Sequence, residues 1–289
     1  MAEHPLTRIA YVNGRYRPID APAIRIEDRG LQFADGVYEV IKSLGGRPCD
    51  LDRHLNRLER SLAALGIAMP VSRRALKTII GQTLRRNGLR DALVYLQVDR
   101  GAAPRNHLFP VDAEPTLIVT ARRAHFPKPV ELSEGVAVVT LPDQRWKRCD
   151  IKSVNLLANV LARQHGAKAG CREVWLYDSE GLVTEGSGSN AYLVDGEGRI
   201  QTRALGPEIL GGVTREVVLE LARAEGIPVI ERPFTVAEAL AAREAFLTST
   251  SSLVLPVTTI DGRTVANGRP GSVTCRLMEA YKRHLMKGE

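Results

Sequence analysis

The sequence predicts a mixed α/β chain, an α+β arrangement of two domains, and three observations predict it. Its 289 residues exceed the roughly 100–200 of one typical domain. In both halves, apolar residues recur at helical spacing in some segments and gather in short β-rich runs in others. Between Arg123 and Gly135, Pro127, Pro129 and polar residues follow no period, which marks a linker. The expected division is a smaller N-terminal α+β domain at 1–122, the linker at 123–135 and a larger C-terminal domain at 136–289.

The first element is a hairpin over Ile9–Arg17, because Asn13-Gly14 favours a type I′ turn. Leu51, Leu55, Leu58, Leu62 and Leu65 then share one helical face, with Asp52 placed to cap the start and Gly66 to close the end. Ser72 opens a second helix that runs to about Asn87-Gly88, and Leu93–Asp99 and Thr116–Ala121 are β-rich. Beyond the linker, strands are expected at Val136–Leu141, Glu173–Tyr177, Asn190–Val194 and Ala245–Thr248. Helices are expected at about Val154–Lys168, Val213–Glu225, Val236–Ala242 and Ser272–Met286. No repeat or low-complexity tract interrupts this pattern, and spacing alone leaves the strand order open.

Composition narrows the function classes. A net charge of +7 raises nucleic-acid binding, but Lys and Arg are scattered and aromatic residues are 5% of the chain, which leaves little for base stacking. The same positive field suits anionic substrates and a phosphorylated cofactor. Cys49, Cys149, Cys171 and Cys275 are far apart with no CxxC pair, so neither a metal site nor a disulfide framework is expected. No basic-apolar leader and no apolar run of about 20 residues occurs, so the expectation is a soluble cytoplasmic chain with no membrane or nucleic-acid partner.

Three groups of residues could carry chemistry. The turns at 184–190, 211–215 and 248–252 are rich in Gly, Ser and Thr, and the second opens a helix, whose free amides suit a phosphate. Any one of them alone reads first as ordinary loop and cap chemistry. Lys152 follows apolar Ile151 just before a helix; a desolvated lysine there is a nucleophile able to form a Schiff base, although most lysines are solvated surface residues. Arg105, in a turn with Arg100 and His107, could fork onto a carboxylate, against the plainer reading of a solvated loop.

Taken together and in order, these segments resemble the fold type IV pyridoxal-phosphate enzymes, and among them the bacterial D-amino-acid aminotransferases. The resemblance runs nearly end to end, through Glu27-Asp28-Arg29-Gly30, Asp35-Gly36-Val37-Tyr38-Glu39-Val40, His54-Leu55-Asn56-Arg57-Leu58 and Arg105-Asn106-His107. It continues through Arg145-Trp146, Cys149-Asp150-Ile151-Lys152-Ser153, Thr184-Glu185-Gly186-Ser187, Gly212-Val213-Thr214-Arg215 and Thr248-Ser249-Thr250. The resemblance implies a C-terminal domain with a β-barrel-like core flanked by helices, and pyridoxal 5′-phosphate in a cleft between the domains.

By this resemblance Lys152 holds the cofactor as a Schiff base and then shuttles the proton at Cα, and Glu185 pairs with the ring nitrogen. Arg57 is implied to bind the phosphate with Val213, Thr214, Ser249 and Thr250, and Ser189, Asn190 and Leu210 complete the cofactor-binding set. Tyr38, Arg105 and His107 correspond to the family's carboxylate trap, with Arg145 in support near the cofactor. The implied reaction is ping-pong transamination of a D-amino acid with a 2-oxo acid such as 2-oxoglutarate or pyruvate, by a homodimer whose subunits contribute to each other's sites. Gly188 and Leu31 depart from the relatives' residues, a serine and an aromatic respectively. The rivals are a branched-chain L-amino-acid aminotransferase, an aminodeoxychorismate lyase and an (R)-amine transaminase. A non-catalytic basic binding module has only the charge in its favour.

Overall fold

A computed structural model describes residues 8–287, which fall into two units. One holds the residues up to His125 together with Ile151–Asn155; the other holds Phe126–Asp150 and the residues from Leu156 onward. A five-residue piece carrying Lys152 thus belongs to the N-terminal unit although it follows Phe126–Asp150 of the other unit in the sequence.

The first unit contains β1 (Ile9–Val12), β2 (Arg15–Pro18), α1 (Arg29–Phe33), β3 (Gly36–Leu44), β4 (Arg47–Pro48), α2 (Leu51–Leu65), α3 (Arg73–Arg86), β5 (Ala92–Asp99) and β6 (Thr116–Arg123). Its six strands form an antiparallel sheet in the order β2-β1-β6-β5-β3-β4. The β1–β2 hairpin turns on Asn13 and Gly14, both at positive φ (43° and 87°), as a type I′ turn requires. One face of the sheet packs Val37, Ile41, Val94, Leu96, Val98, Leu117 and Val119 against Leu55, Leu58 and Leu62 of α2 and Leu76, Ile80 and Leu84 of α3. Each such buried side chain contributes about 1.5–3 kcal/mol of transfer free energy.

Two local expectations change. Asp50, in the left-handed region at φ 50°, is the N-cap of α2 rather than Asp52. Asp52 instead sits in the first turn and holds Arg73 and Lys77 of α3 at 2.8 and 2.7 Å. Strand β3 is absent from the sequence reading because Glu39, which an alternation of apolar residues does not anticipate, points into the buried face.

The second unit contains α4 (Pro129–Glu134), β7 (Val136–Pro142), α5 (Leu157–Lys168), β8 (Glu173–Tyr177), β9 (Val183–Gly186), β10 (Asn190–Val194), β11 (Ile200–Thr202), α6 (Val213–Ala224), β12 (Val229–Glu231), α7 (Val236–Ala241), β13 (Glu244–Ser249), β14 (Leu253–Ile260), β15 (Arg263–Thr264) and α8 (Ser272–Lys287). Its mixed sheet follows the path β12-β11-β10-β13-β14-β7-β8-β9, with β15 on β14. A tight turn closed by Gly186 N donating to Ser189 O at 2.7 Å feeds β9 straight back to β10, so the sheet curls on itself around Trp175, Phe234, Leu247 and Leu255.

The segment 123–135 is not structureless: β6 extends through Arg123, and α4 forms where Glu131 accepts from Lys128 N at 2.7 Å. Helix α5 begins at Leu157 rather than Val154, because Val154 lies at a bend and its amide donates to Gly36 O instead of entering the helix. Strand β14 escapes the sequence reading because Pro256 lies within it and breaks the expected run.

Candidate active site

Lys152 is placed by backbone pairing. The 151–155 segment lies antiparallel to the start of β3: Tyr38 N donates to Lys152 O at 2.9 Å, Val154 N donates to Gly36 O at 3.0 Å, and Ser153 bridges Val37. Ile151 anchors it in the first unit's core, and Lys152 N donates to Ser61 Oγ of α2 at 3.2 Å. The half-buried ammonium stands 4.1 Å from the Tyr38 ring centroid, and Tyr38 stacks on Tyr95 with centroids 5.7 Å apart.

Arg57 is held in the same unit. Its guanidinium forks onto Glu39 (Nε–Oε1 2.7 Å, Nη2–Oε2 2.8 Å), and His54 Nδ1 lies 2.7 Å from Oε2. Burial raises the Glu39 carboxyl, but Arg57 and His54 outweigh it and hold it well below the usual carboxylate range. The plane of Arg57 is thereby fixed.

Arg105 and His107 stand on the exposed loop between β5 and β6. They meet at Phe33, with Arg105 Cζ 4.5 Å and the His107 ring 5.5 Å from its centroid, while Arg29 Cζ lies 4.7 Å from the same ring. Among the described residues no hydrogen bond or ring contact joins Tyr38 to either of them.

In the second unit Glu185 is buried and clamped by three donors. Arg145 Nη1 makes a short ion pair to Oε1, and Oε2 accepts from Asn190 Nδ2 at 3.0 Å and Leu210 N at 3.1 Å. Burial pushes the Glu185 carboxyl up to about 7 against the lowering pull of Arg145. Arg145 is itself forked by Asp143 (Nε–Oδ1 3.0 Å, Nη2–Oδ2 2.7 Å).

The phosphate-type turns gather around Asn190. Its register partner across β10 and β13 is Thr248, which brings Ser249 and Thr250 to the same end of the sheet. A Cβ on Gly212, the N-cap of α6, would sit 2.2 Å from Asn190 Oδ1, so only glycine allows this approach. Gly212 has no side chain to cap α6, and among the described residues no side-chain cap bond is made there, which leaves the first amides of Val213, Thr214 and Arg215 directed out of its N-terminus. Thr214 Oγ1 lies 3.5 Å from Tyr281 Oη, and Ser249 Oγ accepts from Ser252 N at 2.9 Å. Ser189, expected at the cofactor, donates to Glu173 Oε2 at 3.1 Å, and Ser187 bonds the other oxygen of the same carboxylate.

These residues fit pyridoxal 5′-phosphate. A buried carboxyl whose proton affinity is raised by desolvation gains from a cationic ring nitrogen, and an uncapped helix start beside hydroxyl-rich turns suits a dianion. Sequence reasoning missed Asp143, Glu173 and Glu39. The only local signal was at Asp143, two residues before Arg145, a spacing at which an Asp commonly accepts from the backbone ahead of it. Among the described residues no group of His, Cys, Asp and Glu could hold a metal ion, and no helix is long and apolar enough to cross a membrane.

The pattern of the amino-transferase class IV family matches residues 36–260. The chain belongs to this family. This aminotransferase is 42% identical over 275 residues to a D-alanine aminotransferase of Bacillus licheniformis, covering 95% of this chain and 96% of the relative. Its fold is similar to the branched-chain amino acid aminotransferase of Escherichia coli, with a TM-score of 0.89 at 22% identity over 98% of this chain and 96% of that one. It is also similar to a branched-chain aminotransferase of the archaeon Thermoproteus uzoniensis solved with norvaline, with a TM-score of 0.86 at 27% identity over 97% and 96% of the two chains.

Proposed function

We propose that this aminotransferase uses pyridoxal 5′-phosphate to move the amino group of a D-amino acid, D-alanine among them, to a 2-oxo acid. The observation that carries the reading is whole-length identity of 42% to a D-alanine aminotransferase, against 22–27% to branched-chain enzymes whose likeness is one of fold. The cofactor supplies the aldehyde that takes up the amino group and the cationic ring that draws electrons from Cα.

The protein supplies the rest. Lys152 anchors the cofactor covalently and carries the proton at Cα, a task that suits an amine whose backbone is fixed on both sides. Glu185 keeps the ring nitrogen protonated, and Arg57, the α6 N-terminus, Ser249 and Thr250 hold the phosphate. Arg105 and His107 hold the substrate carboxylate, with Tyr38 beside Lys152. With the carboxylate fixed on one side and the Cα hydrogen turned to Lys152, only one enantiomer meets both demands.

The assembly in this reading is a homodimer. The loop that carries Arg105 and His107 exposes Leu108, Phe109 and Val111 by 75%, 65% and 95%, an apolar surface that a second copy would cover. Four free cysteines suit a reducing compartment, so the cytoplasm belongs to the same proposal.

The test is 2-oxo acid release from D-alanine and, separately, L-leucine with 2-oxoglutarate as acceptor. Turnover of D-alanine alone is expected; turnover of L-leucine alone would move the protein to the branched-chain specificity.

A further inference from the structure

We propose that Asp143 is a positioning residue that sets the charge felt by the cofactor ring: by forking onto Arg145 it balances that guanidinium, so that Glu185, once ionised, faces the ring nitrogen as an unbalanced negative charge. The inference rests on the reading of Glu185 as partner of the ring nitrogen.

Arg145 and Glu185 alone would form a neutral buried pair, and a neutral pair offers little to a second cation. Asp143 changes the count. Two carboxylates and one guanidinium, all with side chains at most 13% exposed, leave one net negative charge when Glu185 is ionised, the state that a cationic partner favours. The geometry is built for this: Asp143 Oδ1 accepts from Arg145 Nε and from Arg145 N, both at 3.0 Å, and Oδ2 accepts from Nη2 at 2.7 Å and from Thr184 Oγ1 at 2.8 Å. Thr184 directly precedes Glu185, so the two ends of the array share a strand. Burial raises Asp143, but the Arg145 fork prevails and holds it below its ordinary value, hence ionised at neutral pH.

Neighbouring groups leave the count intact. Asn190 and Leu210 N give Glu185 uncharged donors. Burial pushes the Cys149 thiol up to about 12, so it stays neutral, and Arg215 is paired at 2.8 Å with Glu231, whose other oxygen takes the solvent-exposed Arg223 at 2.9 Å. One cation is therefore what the array lacks, and a protonated ring nitrogen is that cation.

The test measures exchange of pyridoxal 5′-phosphate on the holoenzyme for the analogue in which carbon replaces the ring nitrogen, reading the fraction of each retained. The wild type is expected to prefer the natural cofactor. Asp143→Asn should shrink that preference by ~tenfold or more, the effect of removing one nearby charge from a protonation equilibrium. Asp143→Asn combined with Arg145→Gln restores the single negative charge and should return the preference to within about threefold of wild type. An unchanged preference in Asp143→Asn, or equal weakening of both ligands, would overturn the proposal, since a purely structural loss does not tell nitrogen from carbon. A wild type with no preference would instead refute the role of Glu185 on which the proposal rests. If Asp143→Asn does not fold, the double variant decides: a kept preference supports charge setting, and a lost one rejects it.

Discussion

Lys152 and Arg105 divide the proposed chemistry between two residues, and their substitutions separate it. Lys152→Ala should abolish transamination while leaving thermal unfolding near wild type, because the segment's anchorage runs through backbone bonds and Ile151 rather than the ammonium. Residual turnover above background would reject Lys152 as the reactive amine. Arg105→Ala should raise KM for amino acids about tenfold or more with a smaller effect on kcat, as expected for loss of a charge-assisted fork to a carboxylate. Steady-state kinetics with D-alanine read this directly, and an unchanged KM would remove Arg105 from substrate binding.

Helix α8 depends at its N-terminus on a carboxylate from another element. Glu244 of β13 is buried and accepts from Val273 N at 3.0 Å, and its other oxygen accepts from Thr274 N and Thr274 Oγ1, both at 2.7 Å. Glu244→Ala should cost about 1–3 kcal/mol in urea unfolding, the penalty for leaving buried donors unmade; no loss would mean that solvent replaces the cap. Strand β3 offers a second element-scale test. A Cβ on Gly36 would meet Asp99 Oδ1 at 2.1 Å and Val98 O at 2.9 Å, and the second contact is backbone. Gly36→Ala should therefore separate β3 from β5 at that end and lower Tm, with a secondary effect on Lys152 because Gly36 O is one of its segment's anchors.

Two buried carboxyls shape the pH dependence of the molecule. Asp99 is pushed up to about 7 by desolvation and by Asp28 and Asp35, despite two 2.8 Å bonds from Gln97 Nε2, and Glu185 is pushed up to about 7 by burial. Both folded-state values lie above the unfolded ones, so the folded state binds protons more tightly and loses stability as pH rises from the ordinary carboxylate range through 7. The Tm of the cofactor-free protein should thus fall between about pH 5 and about pH 8. Asp99→Asn, a neutral isostere, should flatten part of that slope and raise Tm at the alkaline end. Bound cofactor should flatten the part due to Glu185, if the ring nitrogen is its partner. A Tm that climbs over this range would contradict the burial argument for both groups.

Much of the chain was legible in its residues. Asn13-Gly14 fixed a hairpin through their tolerance of positive φ, the leucine repeat fixed α2, and Gly66 and Ser72 fixed the ends of two helices, all by forces that act within a few residues. The family was legible too, because short strings around Lys152, Glu185 and Gly212 kept their order over the chain. Strand β3 was not, since Glu39 is buried only because Arg57 and His54, a helix away, neutralise it. Nor was the company that Arg145 keeps: its link to Glu185 joins residues forty apart, and it forms where β7 and β9 each pair with β8. The sequence by itself determined the local elements, the class of enzyme and the residue types available for the chemistry. Only the tertiary structure decided which charges meet in the dry interior, because the net charge beside Glu185 depends on burial and distance, and neither is a property of a residue or its neighbours in the chain.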